Sequence, residues 1–157
     1  ESTVVDFTAQ RPRILRSGGV GAEEIEKAIG KLDGAPRGTK ALCPGMKYKH
    51  YAPKAQVLFS AYYSDMHNTI NAYYDNNEAA GKNPVILCLS GRKELYESRN
   101  AIDVGESIND YAKNLFSSLR LADEKGYDLI IAEGVSSDGL GAGIINRLVK
   151  ASNEHII

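Results

Sequence analysis

The sequence has few of the features that announce a chemistry at once. Its two cysteines, Cys43 and Cys88, stand in unrelated contexts. They form no CxxC pair, and no cysteine–histidine cluster has zinc spacing. This argues against a disulfide framework or a zinc site and for reduced thiols of a cytosolic protein. No sign of charge dominates. At a net charge of −1 the chain has no overall basic field to recruit nucleic acid, and direct nucleic-acid binding is not expected. No apolar run of about 18 residues occurs and no secretory leader is visible, so neither membrane insertion nor secretion is expected. No long stretch has the low hydrophobicity of a disordered segment, and no internal repeat is visible. An initiator methionine is also missing. The sequence opens at Glu1 on a strand-like run, and the expectation is a truncated or processed chain.

What is present fits a globular domain. The chain has 157 residues, 43% hydrophobic and 25% charged, enough for one ordinary core and a fragment of another. Thr3 to Thr8 is β-branched and apolar, and Arg13 to Arg16 reads as a second strand across a turn at Gln10, Arg11 and Pro12. Gly21 to Ile29 reads as a short helix with acids in its first turn, ended by Gly30. Two strands and one helix bury too little to fold alone. From Lys31 to Lys54 proline and glycine recur without period, which reads as a linker.

Beyond Ala55, strand and helix signals alternate. Val57 to Ser60 is expected as a strand. Ser64 can cap a helix presenting Met66, Ile70, Tyr73 and Tyr74 on one face. Pro84 to Leu89 and Asp128 to Ala132 are continuous apolar runs, as in strands covered on both faces. Ala101 to Val104 reads as a short strand. Ser107 to Lys125 is the strongest helix, with Ile108, Tyr111, Ala112, Leu115, Leu119 and Ala122 recurring at three and four. Gly139 to Ser152 is the last helix, with Leu140, Ile144, Leu148 and Val149 inward. The alternation implies an α/β fold: a small three-layer, Rossmann-like domain with a mainly parallel sheet.

The chemically densest segment is Cys43 to Pro53, CPGMKYKHYAP. Its bases can meet phosphates, its rings can meet a base, and its prolines lower the ordering cost of binding. On composition alone it could equally be a solvated basic linker. Gly134 to Gly143 (GVSSDGLGAG) follows a strand and opens a helix, where phosphate could meet backbone N–H groups. It lacks the dinucleotide spacing and the P-loop Gly-Lys-Ser/Thr, so close packing and a helix start account for it more simply. Asp65, Asp75 and Asp103 do not form the acidic cluster of a receiver domain.

The Cys43–Pro53 string closely resembles the linker signature of two-domain threonylcarbamoyl-AMP synthases, Ser-Pro-Gly-Met-Lys-Tyr-x-His-Tyr-x-Pro. It departs only in having Cys43 for serine. Ser2-Thr3-Val4-Val5-Asp6 resembles the end of that family's YrdC-like catalytic domain. Ile14-Leu15-Arg16, followed by Gly18-Gly19, resembles its Ile-Leu-Arg-Pro-Gly segment, with Ser17 for proline. Gly139-Leu140-Gly141-Ala142 and Asn146-Arg147-Leu148 resemble the close of its second domain. The resemblance touches the whole chain.

It implies that residues 1–30 are the remnant of the YrdC-like domain, 31–54 the linker and 55–157 the C-terminal Rossmann-like domain. It implies a synthesis in which L-threonine, bicarbonate and ATP give threonylcarbamoyl-AMP and pyrophosphate, for threonylcarbamoyladenosine in tRNA. On the same ground Ser2 is expected to contact L-threonine and Arg16 and Tyr51 the ATP. Tyr48 is the alternative to Tyr51, and Lys47, Lys49 and His50 are neighbours without assigned roles. Magnesium and most of the ATP would be held by the rest of the catalytic domain, whose Lys-x-Arg and Ser-x-Asn motifs do not occur here in the required context. Other tRNA-modification proteins are candidate partners. No catalytic residue and no metal ligand is assigned within this chain, and the fragment alone is expected to be inactive. The alternative is a stand-alone regulatory α/β module binding a nucleotide or a protein.

Overall fold

The computed structural model describes residues 2–16, 18–34 and 53–157. The Cys43–Tyr51 part of the linker motif, and with it the expected contact at Tyr51, lies outside the described residues.

Strands β1 (Val4–Asp6) and β2 (Arg13–Arg16) form an antiparallel hairpin in which Val4 faces Arg16 and Asp6 faces Arg13. Its turn end is held by an ion pair, with Arg13 Nη2 2.9 Å from the Asp6 carboxylate. The Thr8 hydroxyl and amide donate to that carboxylate, and with Arg13 they hold its pKa below the ordinary value. Helix α1 (Ala22–Ile29) follows and stops at Gly30, whose φ of 85° suits a residue without Cβ. The chain then returns to the hairpin, where the Asp33 amide donates to the Pro12 carbonyl at 2.7 Å. Helix α1 buries none of its residues.

The second part is a four-stranded sheet of β3 (Gln56–Phe59), β4 (Pro84–Cys88), β5 (Ala101–Asp103) and β6 (Leu129–Ala132), in the order β3-β6-β4-β5. Every pairing is parallel. Helix α2 (Met66–Ala79) covers one face, and α3 (Ile108–Glu124) with α4 (Leu140–Ser152) covers the other. The expected α/β architecture with a parallel sheet between helical layers is therefore present.

Strand periodicity divides the core in two. Val57, Phe59, Val85, Leu87, Ile130 and Ala132 point to α3 and α4, against Tyr111, Leu115, Leu119, Ile144 and Leu148. Leu58, Ile86, Cys88, Leu129 and Ile131 point to α2, against Met66, Ile70 and Tyr74. With both faces covered, all five residues of β4 and all four of β6 are buried, which is why these strands read as unbroken apolar runs. Each large aliphatic buried this way contributes about 1.5–3 kcal/mol.

Helix α3 begins at a capping box. The Ser107 hydroxyl accepts from the Asp110 amide and the Asp110 carboxylate accepts from the Ser107 amide, satisfying two otherwise orphaned donors. Helix α2 departs from expectation. Ser64 lies in a turn, the N-cap is Asp65, and neither side chain makes the capping bond. Tyr73 is 42% exposed and does not join Met66, Ile70 and Tyr74 in the core, because position 73 turns off the stripe that meets the sheet. Between β4 and β5 a 3-10 helix, Ser90–Tyr96, buries Tyr96. Its short, polar sequence carries no periodic signal.

Two consequences can be measured. Burial and the nearby Glu133 carboxylate raise the Cys88 thiol from 9.0 to about 12. Burial, then Glu133, also raises the Tyr96 and Tyr111 phenols. Groups held protonated in the fold stabilise it fully below their unfolded pKa and lose that contribution as pH rises toward the folded one. The melting temperature should therefore fall from about pH 9 upward, and Cys88→Ala should make the first part of that fall shallower. Gly141 sits so close to the loop before α4 that a Cβ there would lie 1.7 Å from the Ser136 carbonyl oxygen. Gly141→Ala should cost about 3 kcal/mol in denaturant unfolding, since the backbone must move to admit it.

Candidate functional site

The hairpin register brings two of the three expected site residues together. Arg16 pairs with Val4 across the hairpin, and its side chain reaches back to the strand end before it. Nε and Nη2 both donate to the Ser2 carbonyl oxygen, at 3.3 and 3.1 Å. Ser2 is exposed and Arg16 half-buried. The third expected residue, Tyr51, is not among the described residues.

Ser2 lines a groove of about 380 Å³ together with Thr3, Val5, Gly19, Val20 and Ile25. Apart from backbone, the polar side chains among its described lining residues are the hydroxyls of Ser2 and Thr3. The Thr3 hydroxyl is fully engaged by Gly18 and Val20, so the described lining offers an apolar wall and the Ser2 hydroxyl. That combination suits a small molecule with both methyl and polar groups. Its walls come from β1, the turn after β2 and the start of α1, which explains why residues so far apart in sequence share it.

The glycine-rich segment behaves as packing. The Ser136 hydroxyl donates to the Asp138 carboxylate at 2.6 Å, and the Ser136 backbone rests on Gly141 at the start of α4. The loop thus folds onto its own helix. The linker re-enters the described structure at Pro53, and the Asp123 carboxylate of α3 accepts from the amides of Lys54 and Ala55 at 2.8 and 3.0 Å. This anchor fixes where the linker meets the domain. Sequence reasoning missed it, because one acid on a solvated helix face carries no signal.

A second feature it missed is Glu133, directly after β6 and 1% exposed. Tyr96 donates its hydroxyl to one carboxylate oxygen, Arg92 Nε lies 2.9 Å from the same oxygen, and the Leu89 amide donates to the other at 3.1 Å. The Tyr111 hydroxyl donates to the Glu133 carbonyl at 3.0 Å. With its oxygens occupied, this carboxylate ties elements together and offers no free base. The signal available was an acid closing an apolar run. Asp75 pairs with Arg99, and Asp103 accepts from Ser90 and the Gly105 amide, so the aspartates do not converge. Among the described residues no cluster of three or more His, Cys, Asp or Glu is placed to hold a metal ion, and no helix is long and apolar enough to cross a membrane.

Comparison with known proteins agrees with this picture. The family model described as threonylcarbamoyl-AMP synthase, C-terminal domain, matches residues 20–153. The threonylcarbamoyl-AMP synthase of Pyrococcus abyssi is 39% identical over 163 residues, covering 100% of this chain and 47% of its own length. A crystal structure of P. abyssi Sua5 complexed with L-threonine superposes at a TM-score of 0.88 with 38% identity, over 100% of this chain and 47% of that one. A variant of the P. abyssi protein with a histidine and the following tyrosine changed to alanine superposes at 0.86 with 36% identity, over 100% of this chain and 46% of that one. The chain spans about half the length of the curated relatives it matches, 42% to 47%. It thus belongs to the threonylcarbamoyl-AMP synthase family and corresponds to the C-terminal portion of its members.

Proposed function

We propose that this chain serves an L-threonylcarbamoyladenylate synthase, in which it completes a site held mainly by the rest of a YrdC-like catalytic domain. Residues 1–30 belong to that domain, 31–54 form the linker, and 55–157 form the C-terminal domain. The reaction joins L-threonine, bicarbonate and ATP into threonylcarbamoyl-AMP with release of pyrophosphate, and the product supplies threonylcarbamoyladenosine in tRNA. The observation that carries the reading is the joined pair Ser2 and Arg16 beside a groove with an apolar wall. The P. abyssi relative that superposes over this whole chain was crystallised with L-threonine, which supports threonine as the occupant.

In this reading the Ser2 hydroxyl hydrogen-bonds the polar groups of L-threonine while the groove wall takes its methyl. The Arg16 guanidinium, held by the Ser2 carbonyl, serves the nucleotide. Tyr51 closes over the ATP from the linker. Histidine directly precedes tyrosine only at His50–Tyr51 in this sequence, and a His–Tyr pair is also the one substituted in the P. abyssi variant. The chemistry needs positioning and neutralisation of phosphate charge more than acid–base groups. Magnesium, where used, is held by the rest of the catalytic domain, and the enzyme works in the cytoplasm. Other tRNA-modification proteins remain candidate partners.

Two experiments test this. Given threonine, bicarbonate, ATP and magnesium, these 157 residues alone should release no pyrophosphate; turnover of about 1 per second or more would refute the partial-site reading. In the two-domain enzyme, Tyr51→Ala should lower kcat/KM for ATP by about tenfold or more, with the C-terminal domain still folded. Unchanged kinetics would remove Tyr51 from the site, and a loss confined to Tyr48→Ala would reassign the contact to that ring.

A further inference from the structure

Within this chain, the hairpin that carries Ser2 and Arg16 buries little apolar surface. Among the described residues before Ala55 no hydrophobic side chain is fully buried, and α1 contributes none. Hydrogen bonds from one side chain replace that packing. The Thr3 hydroxyl donates to the Val20 carbonyl at 2.7 Å and accepts from the amides of Gly18 and Val20 at 3.0 and 3.3 Å. A hydroxyl has one donor and two acceptor sites, so this one is saturated. Although Thr3 lines the groove beside Ser2, its hydroxyl has nothing left for a ligand.

The segment that Thr3 grips is clasped from the other side by α4. A Cβ on Gly143 would lie 3.2 Å from the Gly18 carbonyl oxygen, and one on Gly21 would lie 3.6 Å from Gly139 Cα. Gly18 and Gly143 are both buried. The backbone of residues 18–21 thus rests directly on the first two turns of α4. Helix α4 in turn packs through Ile144 and Leu148 into the main core. Contact runs unbroken from that core through Gly143 and Gly18 to Thr3, the residue next to Ser2.

We propose that Thr3 is a positioning residue of the threonine and nucleotide site: through its hydroxyl the C-terminal domain, acting by way of the Gly143 face of α4, sets the placement of Ser2 and Arg16. The proposal rests on the reading of Ser2 and Arg16 as substrate contacts. The C-terminal domain then serves the reaction without touching either substrate. Arg16 is included because its anchor is the Ser2 carbonyl, one peptide unit from Thr3.

The test has two arms. Thr3→Val keeps the shape and removes the hydroxyl, whereas Thr3→Ser keeps it. In this chain, hydrogen exchange at the Gly18 and Val20 amides should speed up about tenfold or more in Thr3→Val, matching about 1.4 kcal/mol of lost protection. It should stay near the parent rate in Thr3→Ser, and the β4 and β6 amides should be unchanged in both, showing that the domain is folded. Gly143→Val should loosen the same two amides with Thr3 intact. In the two-domain enzyme, Thr3→Val should raise KM for threonine and ATP about tenfold with kcat within about twofold, and Thr3→Ser should restore both. Parent-like exchange in Thr3→Val overturns the proposal, as does loosened exchange with unchanged KM. If Ser2→Ala and Arg16→Ala leave KM unchanged, the substrate-contact reading fails instead, even where the exchange result stands.

Discussion

The fold turns on a carboxylate placed where water cannot reach it. Burying a charge costs several kcal/mol unless partners surround it, so Glu133 is tolerable only because two segments bring two hydrogen bonds and an ion pair to its carboxylate. The Tyr96 hydroxyl and the Arg92 guanidinium come from the 3-10 helix, and the Leu89 amide comes from the end of β4. Tyr111 of α3 donates to its carbonyl. These bonds cross from the α2 side of the sheet to the α3 side. They close the carboxyl end of the sheet, where the loops after β4 and β6 separate toward opposite faces. The same charge, with burial, opposes ionisation of Cys88, Tyr96 and Tyr111.

Much of this architecture was legible in the sequence, for reasons that differ between elements. Strands β4 and β6 announce themselves because both faces are covered, leaving no polar position to interrupt them. Helix α3 shows its stripe in one stretch, while its Ser107–Asp110 capping box emerges only in the structure. Helix α2 was harder. Tyr73 has the composition of a core residue but lies off the stripe, and the turn at Ser64 and Asp65 moves the helix start by one position. The 3-10 helix and Glu133 were not legible, since each is explained only by partners distant in sequence.

The candidate site was legible in a different sense. Nothing in the composition of TVVD or RILR separates them from ordinary strands, and the roles of Ser2, Arg16 and Tyr51 came from resemblance to a family. The structure adds geometry for two of them, through a hairpin register that places Arg16 beside the peptide of Ser2. It also divides labour within the groove, because two adjacent hydroxyls, Ser2 and Thr3, differ in whether they are already spoken for. The Asp123 anchor at Lys54 and Ala55 extends this logic to the linker. The chain entering β3 is thus tied to α3 at a defined point.

The two margins of the sheet are treated unlike each other, and both treatments suppress association. Beyond β3, residues 155–157 run alongside as a short parallel track: the Ile157 amide donates to Phe59, and the Ala61 amide donates to Ile157. The outward backbone groups at the Phe59 end of β3 are thus satisfied within the molecule. At the opposite margin β5 is three residues long and ends in Asp103, whose carboxylate is tied to Ser90 and Gly105. An exposed, long, flat edge is the template on which sheets of separate molecules add to one another. Here one edge is filled and the other is too short and too charged to recruit a strand, so a core rich in unbroken apolar strands stays shielded from fibril-like growth while it remains folded.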